Sequence, residues 1–211
     1  MLPHFVTYRK EITHGTAHLG WNMNHYRKKP PRYTQDSSIY FLTFCTFKRR
    51  PLLHLETVPE LLIESLMFYQ TRVKRLIAYT IMPDHIHAMV EVDEARSLSV
   101  FLRDFKKYTS RAIKNRLEER GFLESGKTNR FKLSERVWQP GTMDHCIRNS
   151  SRNCDFENHL SYLFSNSWKH LRIPPKDFPY HNFEAFVETG AFDHDFFAFD
   201  DKQLRSAKLY E

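Results

Sequence analysis

Cysteine is scarce in this sequence, and long apolar runs are absent from it. The three cysteines, Cys45, Cys146 and Cys154, form no C-x-x-C pair among the 211 residues. An odd number of cysteines without that spacing argues against a disulfide framework and favours a reducing compartment. The chain has no apolar run of about 18 residues, and its N-terminus, "MLPHFVTYRKEITHG", lacks the apolar core of a signal peptide. We therefore expect a cytoplasmic protein that does not span a membrane.

The chain is rich in positively charged residues and in aromatic residues. Lys and Arg number 32 against 25 Asp and Glu, so that the formal net charge is +7. Aromatic residues make up 15% of the chain and include 18 Phe, which is typical of a globular protein with a sizeable core. The excess of positive charge favours a polyanionic partner, most simply nucleic acid, although many basic proteins bind none.

Apolar periodicity divides the chain into alternating strands and helices. Residues 1–36 are polar and end in "RKKPPRYTQDSS", which predicts an irregular N-terminal arm. Strands are predicted at 38–47, 75–82, 85–92 and 143–149, and helices at 58–72, 97–120 and 151–171. The order β-α-β-β-α-β is the split β-α-β layout of ferredoxin-like α+β folds, with the apolar third strand in the centre and the last helix appended. We expect one domain over residues 37–200 and a tail over 201–211.

Two histidines stand one residue apart in the predicted third strand, "HIHAMVEV". Alternate residues of a strand share a face, so His85 and His87 project to the same side, roughly 6–7 Å apart. Two interpretations stay open, because the rings could be hydrogen-bonded core residues or half of a metal site. The H-x-H-x-D-H pattern of zinc hydrolases is not met, since Ala88-Met89-Val90 follow the pair.

The predicted last helix carries a second candidate pair. Tyr162 and Asn166 are four residues apart and therefore lie on one helical face. A tyrosine supplies a phenol nucleophile, and an asparagine oxygen can complete a metal shell. Two imidazoles and one amide oxygen are a mixed set that suits Mg²⁺ or Mn²⁺ and leaves positions open for substrate oxygens. The spacing alone does not separate this interpretation from a simple packed aromatic residue.

These stretches together resemble a known family. "IAYTIMPDHIHAMVEV" is similar to the His-hydrophobic-His strand of single-tyrosine HUH (IS200-like) transposases, and most of all to the REP-associated tyrosine transposases. "VWQPGTMDHCIRN" resembles their W-Q-x-x-x-x-D/E-H-x-I-R-N block, and "DFENHLSYLFSN" resembles their nucleophile helix. "SIYFLTFCTFKRRPLL" matches their opening strand, and "DFPYHNFEAFVETGAFDHDF" resembles their tail. Ser167-Trp168-Lys169-His170 departs from the usual Pro-Val-x-x-Gly. The resemblance covers residues 32–198.

The resemblance implies a metal-dependent enzyme that nicks and transfers single-stranded DNA. Tyr162 would form a 5′-phosphotyrosine on hairpin or palindromic DNA, while His85, His87 and Asn166 would hold Mg²⁺ or Mn²⁺. Relatives work as monomers or as homodimers, so the sequence leaves both open. Two other hypotheses remain: a DNA-binding relative that has lost its chemistry, and a small metallohydrolase that uses the histidine pair.

Several further residues are candidates with competing interpretations. Tyr108, in "FKKYTSR", is a rival nucleophile among basic residues, but Ala112 stands one turn on. Asp84 either orients the His85 ring or caps the turn, and His145 is either structural or near the site. Trp138 either contacts a base or fills the core. The candidate DNA contacts are Arg49, Arg50, Lys106, Lys107, Arg111, Trp138, Gln139 and Arg148.

Overall fold

A four-stranded antiparallel sheet organises the part of the chain that the computed structural model describes, residues 38–55, 57–119, 135–148 and 154–188. The predicted arm over 1–36 and the predicted tail over 201–211 lie outside these ranges, so the proposed domain boundaries stay predictions. The strands are β1 (Ser38–Cys45), β2 (Arg75–Ile81), β3 (His85–Val92) and β4 (Met143–Cys146). Their order in the sheet is β2-β3-β1-β4. This confirms the ferredoxin-like α+β prediction and the central position of the third strand.

Within the described ranges, four α-helices flank the sheet: α1 (Val58–Tyr69), α2 (Ala95–Glu119), α3 (Asp155–Asn166) and α4 (Phe183–Glu188). Pro59 stands in the first turn of α1, where its missing N–H costs nothing. The predicted helix over 151–171 is observed as α3 followed by a π-helical turn over Ser167–Leu171, called the wide turn below. No helix within the described ranges is long and apolar enough to cross a membrane.

Strand alternation gives the sheet two different faces. Tyr40, Leu42 and Phe44 of β1 point to one side and belong to a large apolar core with α1 and α2. Phe41 points to the other side and packs with Met89 and with residues of α3 and α4. The histidines of β3 alternate with Ile86 and Ala88, which belong to the first core. His85 and His87 therefore lie on the face that α3 covers.

Trp138 belongs to the core on the α2 side of the sheet. Its ring lies 5.6 Å from that of Phe44, and its Nε1–H donates to Thr109 Oγ1 at 2.9 Å. Only 5% of the residue is exposed. The core-filling interpretation therefore matches its surroundings, because a buried indole offers no open face on which a base could stack.

The segment that follows the wide turn runs beside β2 and holds α4 against the sheet. Thr80 and His181 form an isolated antiparallel bridge, and the Ile81 N–H donates to the Tyr180 carbonyl at 2.8 Å. Asn182 continues this pairing with its side chain, since its Oδ1 accepts the Tyr79 N–H and its Nδ2 donates to the Ile77 carbonyl. The edge strand β2 is thus covered by peptide-like hydrogen bonds.

His181 predicts a pH dependence of stability in this region. Burial lowers its pKa from 6.5 to about 4, and its Nδ1 accepts the Phe183 N–H. Between these pH values the unfolded chain binds more protons than the folded one, so the free energy of unfolding rises as the pH rises from about 4 to 6.5. The difference between the two pKa values of His181 limits its contribution to the free energy of unfolding to about 3 kcal/mol.

We expect His181→Asn, which keeps an acceptor for the Phe183 N–H, to flatten the dependence of the free energy of unfolding on pH over that interval. Urea unfolding at several pH values between 4 and 7 measures it. Equal slopes in the variant and the parent chain would show that His181 makes no such contribution.

Candidate active site

The paired strands β1 and β3 place two histidines side by side on the face under α3. Cys45 lies opposite His85, and Thr43 lies opposite His87, in the antiparallel register. The two imidazole rings are 4.7 Å apart between centroids and nearly perpendicular. His85 is 7% exposed and His87 is 4% exposed. Two polar rings buried this closely need hydrogen-bond partners or a shared ligand.

Each histidine is oriented through its Nδ1 atom. His87 Nδ1 is 2.8 Å from Thr43 Oγ1, and His85 Nδ1 is 2.6 Å from Asp84 Oδ1. With the proton on Nδ1, each ring donates to that neighbour and keeps a lone pair on Nε2. The contact of Asp84 fits the ring-orienting interpretation. Burial acts to raise the pKa of the Asp84 carboxyl, but the hydrogen bond with His85 and the Arg49 charge hold the pKa below its usual value.

The Nε2 atom of His87 is buried and has no hydrogen-bond partner among the described residues. Burial lowers the pKa of His87 well below its usual value, and the neighbouring His85 and His170 add to the effect. The ring is therefore neutral at pH 7, which is the form that binds a metal ion. A buried and unpaired nitrogen costs free energy unless a ligand satisfies it.

Helix α3 brings the predicted nucleophile and the predicted amide ligand to the same place. The Tyr162 ring lies 5.4 Å from that of His87 and 6.0 Å from that of Phe41. Asn166 is completely buried, and its Nδ2 donates to the Tyr162 carbonyl at 2.6 Å. Its Oδ1 is a second buried atom that lacks a partner within the described part of the chain.

These atoms fit a divalent cation. The candidate ligands are the Nε2 atoms of His85 and His87 and the Oδ1 atom of Asn166. Two of the three are buried polar atoms without partners among the described residues, and each side chain is oriented through its other polar atom. This oriented set of two nitrogens and one oxygen is a mixed set that could hold a divalent cation and leave coordination positions open. The structure thus brings together all four residues predicted for the site.

The wide turn adds two residues that sequence reasoning did not assign. Lys169 Nζ lies 5.5 Å from the centre of the Tyr162 ring, and the His170 ring lies 5.9 Å from that of His85. Their positions, seven and eight residues after Tyr162, continue its helical face, which is the signal that could have found them. Thr43 could not have been found in this way, because its contact with His87 depends on strand register.

The other candidates lie at varying distances from this site. Tyr108 is 48% exposed on α2, beyond the opposite face of the sheet, and packs beside Tyr69. Arg49 is at the rim of the site, where its Nη1 lies 3.5 Å from Asp84 Oδ2. Arg50 is paired with Glu135, and Lys106 Nζ donates to Thr142 Oγ1 at 2.9 Å.

The remaining predicted DNA contacts have no direct link to the histidines in the described contacts. Lys107 and Arg111 are exposed on α2. The Gln139 N–H donates to the Cys45 carbonyl at 2.8 Å, and the Arg148 N–H donates to Asp155 Oδ2 at 2.8 Å. Their part in DNA binding stays a prediction.

Known proteins resemble this chain in sequence and in fold. The profile of the family described as "Transposase IS200 like" matches residues 34–139. A curated protein of Haemophilus influenzae, named as a candidate REP-associated tyrosine transposase, is 30% identical over 129 residues, which are 56% of this chain and 64% of that protein. This chain thus matches less than two thirds of that relative's length. A solved REP-associated tyrosine transposase bound to a REP hairpin superimposes with a TM-score of 0.63 at 22% identity, covering 82% of this chain and 93% of that one. The superposition shows a shared fold.

The unpaired atoms predict that Mn²⁺ or Mg²⁺ stabilises the folded chain. A cation that binds only the folded state raises the free energy of unfolding by about 2.7 kcal/mol at a hundredfold excess over its Kd. We expect His87→Ala and Asn166→Ala to abolish this increase, because each removes one ligand atom. Thermal unfolding with and without Mn²⁺ measures it.

Asn158→Ala is the matched control, since Asn158 is exposed on the same helix. It should leave the Mn²⁺ effect intact. An undiminished effect in His87→Ala would place the ion elsewhere.

Proposed function

This chain belongs to the IS200-like transposase family, and on that premise we propose that it nicks and transfers single-stranded DNA through Tyr162. One observation carries the proposal. Two buried candidate ligand atoms, His87 Nε2 and Asn166 Oδ1, have no hydrogen-bond partner among the described residues, and the Tyr162 ring lies 5.4 Å from that of His87. With the His87 proton on Nδ1, both atoms are acceptors, and a shared cation would satisfy both.

The proposed reaction is a pair of phosphoryl transfers. The Tyr162 hydroxyl attacks a backbone phosphorus, the bond from that phosphorus to the 3′ oxygen breaks, and the phenolic proton leaves. The products are a 5′-phosphotyrosine and a strand that takes up a proton to end in a 3′-hydroxyl. A second 3′-hydroxyl then attacks the same phosphorus and releases Tyr162. The number of phosphoester bonds is conserved, so rejoining needs no nucleotide cofactor.

A divalent cation, when bound, supplies Lewis-acid polarisation of a non-bridging phosphate oxygen. The chain's own residues hold it through His85, His87 and Asn166. Asp84 and Thr43 fix the two rings by hydrogen bonds to Nδ1, so that little reorganisation is needed when substrate arrives. Phe41 packs on both His87 and Tyr162 and helps to hold the two rings beside each other.

Two cationic side chains at the site favour a phosphodiester substrate. Lys169 stands over the Tyr162 ring, and Arg49 stands at the Asp84 end. Both are exposed, so a DNA backbone can reach them. Binding through such contacts releases counterions from the DNA. The affinity for DNA therefore falls as the salt concentration rises.

We include hairpin-containing single strands as the proposed substrate. The similar solved structure is described as bound to a REP hairpin, and this chain shares its fold. A nucleophile that attacks a backbone phosphorus needs a strand it can reach, which an unpaired segment beside a hairpin provides.

The arrangement supports action by one chain on its own substrate. His85, His87, Tyr162 and Asn166 come together within a single chain. A partner subunit is therefore not needed to complete the set, although the proposal is compatible with a monomer and with a homodimer.

We expect a covalent protein–DNA adduct when the chain is mixed with a single-stranded hairpin oligonucleotide and Mn²⁺ or Mg²⁺. The adduct should resist denaturant, because it is a phosphoester. Tyr162→Phe should abolish it by removing the hydroxyl, and His87→Ala should reduce it by removing a ligand atom. Denaturing gel electrophoresis with labelled DNA measures it.

Tyr108→Phe is the matched control and should form the adduct normally. Loss of the adduct in that variant alone would transfer the nucleophile to Tyr108. DNA binding without any adduct in the parent chain would favour the hypothesis of a relative that has lost its chemistry.

We expect Arg49 to influence the rate of adduct formation at the same site. Removing a cation that neutralises phosphate charge in the transition state should slow adduct formation by about tenfold or more. We therefore expect slow formation for Arg49→Gln and partial recovery for Arg49→Lys. Lys176→Gln, which removes an equal charge from an exposed position, should keep the parent rate. Single-turnover adduct formation measures all three, and equal rates would exclude Arg49 from the site.

A further inference from the structure

A cluster of three ionisable side chains joins the edge strand β4 to the beginning of α3. His145 lies on β4, and Asp155 and His159 lie one turn apart on α3. Their candidate ligand atoms lie within 4.8 Å of one another. The proposed chemistry uses none of the three, so their arrangement needs a separate explanation.

The Asp155 carboxylate bridges the two histidine rings. Its Oδ2 lies 3.0 Å from His145 Nε2, and its Oδ1 lies 2.9 Å from His159 Nδ1. The Arg148 N–H also donates to Oδ2, at 2.8 Å. Burial acts to raise the pKa of Asp155, but the hydrogen bonds from Arg148 and His145 hold it below its usual value. The carboxylate is therefore charged and can accept all of these hydrogen bonds.

The ring geometry argues against a shared metal ion in this cluster. The rings of His145 and His159 are stacked 4.6 Å apart with an interplanar angle of 13°. A nitrogen lone pair lies in the plane of its ring, so two stacked and nearly parallel rings cannot direct both lone pairs to one point. The arrangement is instead that of a carboxylate which receives the N–H of His145, while the His159 Nδ1–H is shared between Asp155 Oδ1, at 2.9 Å, and the Asp155 backbone carbonyl, at 2.8 Å.

The cluster is connected to the nucleophile by packed rings. His159 lies 4.9 Å from Phe41, and Phe41 stacks on His87 at 5.1 Å. Phe41 also contacts Tyr162, which is three residues after His159 on the same helix. A shift of α3 at its N-terminal end would therefore move Tyr162 relative to His87.

We propose that Asp155 is a positioning residue, which fixes α3 against β4 through its hydrogen bond with His145, whose ring also stacks on His159, and so sets the place of Tyr162 beside the candidate metal ligands. This inference rests on the proposed function for its consequence in catalysis. The positioning role itself does not rest on the proposed function, because the location of the Tyr162 ring can be observed without any reaction.

The first test observes Tyr162 directly. The full chain is labelled with 3-fluorotyrosine, and the ¹⁹F NMR signal of Tyr162 is assigned from its loss in Tyr162→Phe. In Asp155→Asn one ring N–H faces an amide N–H₂ instead of an oxygen, so we expect the signal to shift or broaden. Glu157→Gln is the matched control, since Glu157 is also an acid in the first turn of α3. It should leave the signal in place.

The second test measures the consequence for the reaction. Asp155→Asn should slow single-turnover adduct formation by about 10- to 100-fold, as expected for a misplaced nucleophile. The DNA concentration for half saturation and the stabilisation by Mn²⁺ should stay within about twofold, since neither depends on the place of the phenol. Asp155→Glu should recover part of the rate, and His145→Gln should resemble Asp155→Asn.

The outcomes separate the two proposals. An unchanged Tyr162 signal in Asp155→Asn overturns the positioning role, whatever the rate. Equal losses of rate, DNA affinity and Mn²⁺ stabilisation also overturn it, because they would show that Asp155 only supports the fold. If the parent chain forms no adduct, the proposed function fails, and the ¹⁹F comparison still decides the role of Asp155.

Discussion

The candidate site depends on hydrogen bonds made by the side-chain atoms that would not contact the proposed cation. Thr43 and Asp84 engage Nδ1 of the two histidines, and the Tyr162 carbonyl engages Nδ2 of Asn166. Each of these bonds fixes a side chain whose other polar atom is then directed to one place. Without them the rings could turn and the carboxamide could flip, and the buried atoms would find other partners. The sheet and α3 matter to function chiefly because they bring these pairs into register.

Much of this arrangement follows from local pattern. Alternation along β3 correctly predicted that His85 and His87 share one face of the sheet. The four-residue spacing predicted that Tyr162 and Asn166 share one face of helix α3. The apolar third strand was correctly predicted to be central. These features depend on residues close in sequence, so the sequence contains them directly.

What could not be predicted depends on pairs that are distant in sequence. The Thr43–His87 contact requires the β1–β3 register, and the bridge from His145 to Asp155 requires β4 and α3 to meet. The spacing of residues in the sequence also does not show which side chains pair with other residues of the protein or are buried in its core. Arg50 is paired with Glu135, and Trp138 is in the core, although the sequence made both of them candidate DNA contacts. The wide turn arises where the chain departs from the family's usual Pro-Val-x-x-Gly.

The hydrogen bond from Asn166 to the Tyr162 carbonyl links the proposed amide ligand to the backbone of the proposed nucleophile. An amide is a conjugated group, so a cation on its oxygen withdraws electron density from its nitrogen and makes the N–H a stronger donor. Loading the ion would thus tighten the same bond that holds the carbonyl of residue 162. Through this one side chain, binding of the proposed ion would be coupled to the position of the Tyr162 backbone.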